Sequence, residues 1–160
     1  MASALTERRR AAGWRLFAAL AVLIFALDQA SKVYVIAVLD LPSLGRIDVA
    51  APYVVFLMAW NEGINFGLFG DSGMRWPLVG LAVAISLALG WWVLRRGGVW
   101  IVVGGALVVG GALGNAVDRV IYGAVVDFLN MSCCGIRNPY AFNIADIAIF
   151  AGAVVVAWKA

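Results

Sequence analysis

Apolar residues gather into four long runs along the chain, about Trp14 to Leu39, Trp76 to Leu94, Val99 to Ile121 and Tyr140 to Trp158. A hydrocarbon layer about 30 Å thick takes about 20 helical residues to cross, so each run predicts a transmembrane helix. Between the first two runs, residues 40–75 carry two short β-prone stretches, Ile47 to Ala51 and Tyr53 to Ala59, bounded by Pro42, Gly45, Pro52 and Gly63. The pattern predicts an all-α membrane protein: four transmembrane helices with a small extramembrane β-rich segment between helices one and two, forming a single domain over residues 1–160. Gly110 and Gly114 in the third run have the Gly-x-x-x-Gly spacing that lets a neighbouring helix approach closely.

Composition strengthens that picture. Of 160 residues, 64% are hydrophobic and only 13% are charged, whereas a soluble domain carries about 25% charged residues. Lysines and arginines orient the helices: Arg8, Arg9, Arg10 and Arg15 precede the first, Arg95 and Arg96 separate the second and third, and Lys159 follows the fourth. Basic residues favour the cytoplasmic side, which puts both termini inside and the connections 40–75 and 122–139 outside. The first run has the flanks of a secretory signal, but it continues through Val33 to Leu39 and is too long for a cleaved segment, so it is expected to be retained. A net charge of only +3, with arginines at the ends of apolar runs, fits topology signals and not a nucleic-acid surface. The chain has no histidine, which excludes serine–histidine and cysteine–histidine catalysis and imidazole metal sites. The adjacent Cys133 and Cys134 would bridge each other only with strain and read as loop residues.

Charges inside the apolar runs carry the chemistry, because each costs at least about 2.5 kcal/mol in the bilayer centre unless it has a partner or a cavity. Asp28 and Lys32 lie one turn apart on one helix face and can neutralise each other. Asn115, Asp118 and Arg119 share a face near the end of helix three. Asn143 and Asp146 repeat that spacing at the start of helix four, and Asp127 sits alone among Val125, Val126 and Phe128. At the helical rise, Asp28 lies about 21 Å from Trp14, Asp146 about 20 Å from Lys159 and Asp118 about 28 Å from Val99. Acids on helices of alternating direction thus reach a similar level toward the outer face. Such convergence suits a shared hydrolytic site; it also suits a proton-coupled carrier, or helix caps and polar glue between helices.

Read in order, Asp28-Gln29-x-x-Lys32, Asn61-Glu62-Gly63-Ile64-Asn65-Phe66-Gly67, Gly114-Asn115-x-x-Asp118-Arg119-x-x-x-Gly123-x-Val125-x-Asp127-Phe128 and Phe142-Asn143-x-Ala145-Asp146 resemble the motifs of lipoprotein signal peptidases. Four motifs in sequence on this hydropathy pattern are a specific match. The resemblance implies an aspartic endopeptidase of the bacterial inner membrane, its active site near the outer face, blocked by the cyclic peptide globomycin. It would remove the signal peptide from prolipoproteins by cleaving before a cysteine that already carries a diacylglyceryl group. It implies Asp127 and Asp146 as the catalytic dyad, supported by Asp28, Lys32, Asn61, Gly63, Asn115, Asp118, Arg119 and Asn143, with no metal and no cofactor. The expected partners are the diacylglyceryl-prolipoprotein and membrane lipids, without nucleic acid, the chain acting as a monomer. Within that set, Asn115 and Asn143 are expected to orient the carboxylates, Asp118 and Arg119 to form a buried pair, and Asp28 with Lys32 to steady helix one. The chain departs from the family's pattern at Ile64-Asn65-Phe66, where many relatives carry smaller residues, which leaves that segment's part in substrate fit open. Trp60, Phe66 and Phe69 suit an interfacial position or ordinary packing. The chemistry is self-consistent, since two carboxylates about 3 Å apart share one proton and hydrolyse an amide without histidine or metal.

Overall fold

The computed structural model describes residues 2–63 and 73–159, with side chains from Ala11 onward. Helix α1 (Ala2–Val33) widens into a π-helical turn at Tyr34–Val38 and is followed by the short α2 (Leu41–Leu44). Strands β1 (Arg46–Ala50) and β2 (Val54–Asn61) come next, then α3 (Arg75–Arg96), α4 (Val99–Tyr122), β3 (Val125–Met131) and α5 (Ile144–Lys159). Among the described residues, three helical stretches are long and apolar enough to cross a membrane: Ala11–Val38, Arg75–Arg96 and Val99–Tyr122. Helix α5 has 16 residues, about 24 Å at the helical rise, and is shorter than the fourth apolar run suggests. Its first turn is lost because Phe142 pairs with Leu129, donating its N–H to the Leu129 carbonyl at 2.9 Å and accepting the Leu129 N–H at 2.8 Å.

Helix α4 is the hub, packed against α1, α3 and α5. Small residues make this possible. A Cβ built on Gly104 would lie 2.9 Å from the Gly152 carbonyl, and one on Gly111 would lie 2.6 Å from the Ala145 carbonyl, so both glycines bring α5 close. The Gly110 and Gly114 pair faces α1 instead, where added Cβ atoms would come 2.6 Å from the Ala21 carbonyl and 2.6 Å from Asp28 Oδ2. One end of the bundle is filled by Phe17, Val93, Ile101, Val102, Ala106 and Val109. Large apolar side chains elsewhere stay exposed, Leu87 at 70% and Phe150 at 74%, as a hydrocarbon surround favours.

The sheet departs from expectation. It has three antiparallel strands in the order β1-β2-β3, so the connection after α4 contributes as well as the segment between the first two long helices. The chain turns sharply out of α4 at Gly123, which is left-handed (φ 85°) and donates its N–H to the Arg119 carbonyl at 3.0 Å. That turn delivers β3 directly to β2. From β3, the Phe128 side chain packs on Val35 and Leu41, a second small core that ties the strands to the end of α1.

Candidate active site

Asp127 lies on β3 and is almost fully buried. The β2–β3 register runs Phe56 to Leu129, then Ala59 to Asp127 and Asn61 to Val125, with one extra β2 residue between. Without that bulge Trp60 would face Val125; with it, Asn61 shares the face of Asp127. Asn61 Nδ2 accordingly donates to Asp127 Oδ2 at 3.0 Å, while Asn61 Oδ1 accepts the Gly63 N–H at 3.0 Å.

Asp146 sits in the first turn of α5, and its position follows from how that helix begins. Asn143 caps it: Asn143 Oδ1 accepts the Asp146 N–H at 2.9 Å, and Asp146 Oδ2 accepts the Asn143 N–H at 3.2 Å. This is the reciprocal capping box, with asparagine and aspartate in the two roles. The helix's positive end also favours a carboxylate there. The other half of the Asn143 amide reaches across the helix boundary, Nδ2 donating to Asp127 Oδ1 at 2.7 Å. Asn143 is therefore bonded to both acids and is itself fully buried. Asn115 Nδ2 donates to Asp146 Oδ1 at 3.0 Å, and Asn115 Oδ1 accepts from Asn143 at 3.1 Å.

A buried ionic cluster adjoins the two acids. Lys32 Nζ lies 2.7 Å from Asp28 Oδ2, 2.6 Å from Asp118 Oδ2 and 3.0 Å from Asn115 Oδ1. An ammonium has three donors, and all three are used. Gln29 Nε2 lies 2.8 Å from Asp118 Oδ1 and 3.2 Å from both Asp28 Oδ2 and the Gly114 carbonyl. Backbone groups complete the acids, Ala145 N–H donating to Asp28 Oδ1 at 2.9 Å and Val126 N–H to Asp118 Oδ2 at 3.1 Å. The cluster thus joins α1, α4, β3 and α5 in the interval that holds Asp127 and Asp146.

Burial raises the Asp127 carboxyl to about 6, and the neighbouring Asp146 charge adds to the rise against the lowering effects of Asn61, Lys32 and Asn143. Such a carboxyl retains its proton to about two pH units above the ordinary aspartate value, as a general acid requires. Among the described residues no set of three or more acidic or cysteine side chains gathers as metal ligands.

The structure gathers Asp28, Lys32, Asn61, Asn115, Asp118, Asp127, Asn143 and Asp146 into one connected network. The expected Asp118–Arg119 pair is corrected: the ion-pair partner of Asp118 among the described residues is Lys32. Consecutive residues on a helix point about 100° apart, so Asp118 turns to α1 while Arg119 turns toward Gly63. There Arg119 Nη1 donates to the Asn115 carbonyl at 3.3 Å, and a Cβ on Gly63 would lie 3.6 Å from Nη2. Gln29 belongs to the cluster, although only its place in the first motif hinted at it. Asn130 also contributes, Nδ2 donating to the Asn138 and Tyr140 carbonyls at 2.8 Å and so fixing the return into α5. Trp60 packs against Tyr122 with the rings tilted by 56° and 5.7 Å between centroids. Ile64, Asn65, Phe66 and Phe69 lie outside the described residues.

Residues 20–160 match the family model described as signal peptidase (SPase) II. A protein named lipoprotein signal peptidase from Methylobacterium sp. (strain 4-46) is 45% identical over 128 residues, covering 79% of this chain and 76% of its own length. One of the same name from Pseudomonas aeruginosa is 39% identical over 140 residues, 85% of this chain and 82% of its own. Among solved structures, a bacterial membrane enzyme determined by the in meso method at 1.9 Å resolution superposes with a TM-score of 0.78 at 25% identity, covering 89% of this chain and 90% of that one.

Proposed function

We propose a mechanism for a chain that belongs to the signal peptidase II family and is therefore a peptidase. The chain removes the signal peptide from diacylglyceryl-modified prolipoproteins, cleaving before the lipidated cysteine, with Asp127 and Asp146 as the catalytic pair. The observation that carries this is Asn143, which hydrogen-bonds Asp127 at 2.7 Å and Asp146 at 3.2 Å and so holds both acids against a single residue.

The pair shares one proton, and burial favours its residence on Asp127. The ionised partner takes a proton from water as the water oxygen attacks the scissile carbonyl carbon; the protonated partner donates to the carbonyl oxygen. Collapse of the tetrahedral species breaks the C–N bond: the departing amine takes the proton that the base had drawn from water, one hydroxyl of the tetrahedral carbon returns its proton to the acid that had donated it, and the pair again holds one proton. Asn61, Asn115 and Asn143 hold the carboxylate oxygens, Gly63 and Arg119 border the site, and Asp28, Lys32 and Asp118 lock the helices beside it. No metal or cofactor enters the reaction.

The setting follows from the same physics. Residues 1–160 act as one domain of the bacterial inner membrane, with α5 as a fourth span, both termini cytoplasmic and the pair near the outer face. The sheet docks at the lipid surface, where Trp60 and Tyr122 suit the interface. A diacylglyceryl anchor brings the scissile bond to that depth, so orientation precedes specific contact. The active unit is the monomer, and globomycin is the expected inhibitor.

A gel-shift cleavage assay on lipidated precursor tests this. Asp127→Asn and Asp146→Asn should each insert normally and abolish cleavage. Full activity in either variant ends the assignment.

A further inference from the structure

We infer that the cleft between α1 and α3 holds one anionic phospholipid of the cytoplasmic leaflet, its phosphate at Arg95 and one acyl chain along α4. The inference rests on the membrane orientation proposed above and not on the peptidase reaction. Helices α1 and α3 scarcely touch each other, because each packs on α4. Between them lies a cleft of about 370 Å3 walled by Phe17, Ser86, Leu87 and Gly90 and floored by Val109 and Leu113. Every side chain lining it except Ser86 is apolar. The volume is at the small end of ligand sites and too small for a membrane-spanning helix about 10 Å across, but it suits a single hydrocarbon chain.

One end is marked for a headgroup. Trp14 and Trp91 line that end and are 58% and 59% exposed, the amphipathic ring placement of a membrane interface. The Arg95 guanidinium stacks on Trp91, 4.6 Å from the ring centroid, which holds a cation at the cleft mouth. From Arg95 the α3 wall continues to Val83, about 18 Å along the axis, so a chain anchored at the arginine lies in the cleft for most of its length. A zwitterionic headgroup brings its own cation to the same place; a net-negative one does not, and Arg95 selects it.

Native mass spectrometry of the purified chain, with phosphatidylglycerol or phosphatidylcholine of matched acyl chains, tests the inference. A one-to-one phosphatidylglycerol adduct is expected, about tenfold tighter than the phosphatidylcholine adduct, on the scale that basic side chains at a membrane surface supply. Arg95→Gln should erase most of that preference. Leu87→Trp, at a 70% exposed position where a large ring fills the cleft without entering the core, should weaken both adducts. Equal binding of the two lipids, or an adduct indifferent to Leu87→Trp, overturns the inference. Cleavage of lipidated precursor measured alongside separates the readings, since a wild-type chain that selects the anionic lipid and does not cleave retains this inference and loses the peptidase one.

Discussion

Lys32→Met isolates the ionic cluster beside the two acids. The ammonium uses all three of its donors, on Asp28 at 2.7 Å, Asp118 at 2.6 Å and Asn115 at 3.0 Å, and both aspartates are 0% exposed. Methionine keeps most of the side-chain volume and leaves two buried carboxylates facing each other. Deleting one partner of a buried pair costs about 3–5 kcal/mol, and this lysine serves two acids, so a loss of about 5 kcal/mol is expected. That approaches the whole stability of many domains. The triple variant Lys32→Met/Asp28→Asn/Asp118→Asn removes both orphaned charges. Its amide oxygens still accept the Ala145 and Val126 N–H groups that now lie at 2.9 and 3.1 Å, so it should lose only about 1–2 kcal/mol. Unfolding titrations in mixed micelles, followed by circular dichroism, measure both. A triple variant as unstable as Lys32→Met would refute the reasoning, because the lysine would then matter for packing and not for charge.

Further outcomes concern the acids and their neighbours. Asn61→Ala removes a hydrogen bond that favours ionised Asp127, so the alkaline limb of the kcat/KM profile should move up by about half to one pH unit, the low end for a charged hydrogen bond that water partly replaces; a downward displacement refutes the sign. Asn143→Ala breaks the α5 cap and the link between the acids, so kcat should fall about a hundredfold with KM little changed, and activity within twofold of wild type would make that link dispensable. Gly114→Ala puts a Cβ 2.6 Å from Asp28 Oδ2, which forces α1 outward and should cost about 1–3 kcal/mol; an unchanged Tm in micelles argues that the helices have room to spare.

The amino-acid sequence by itself determined the solvent and the ingredients. Runs of apolar residues near bilayer length specify membrane helices because backbone groups in hydrocarbon have only each other to bond, and charges such as Asp28, Lys32 and Asp118 inside those runs are costly enough to announce a site. Helical periodicity assigned Asn115 and Asp118 to one face, and the motif order assigned the family. Tertiary structure decided who meets whom. A 3.6-residue period tells which residues share a face but not which helix lies opposite, so Asp118 turned out to pair with Lys32 of α1 and not with its neighbour Arg119. Strand pairing is non-local, so β3 joined a sheet that local propensity confined to the segment before α3. A single bulge residue in β2, invisible to propensity, set the parity that turns Asn61 and not Trp60 toward Asp127. The start of α5 moved to Ile144 because Phe142 found a backbone partner on β3, and that competition, between a helical turn and a strand bond, is settled only when both are folded.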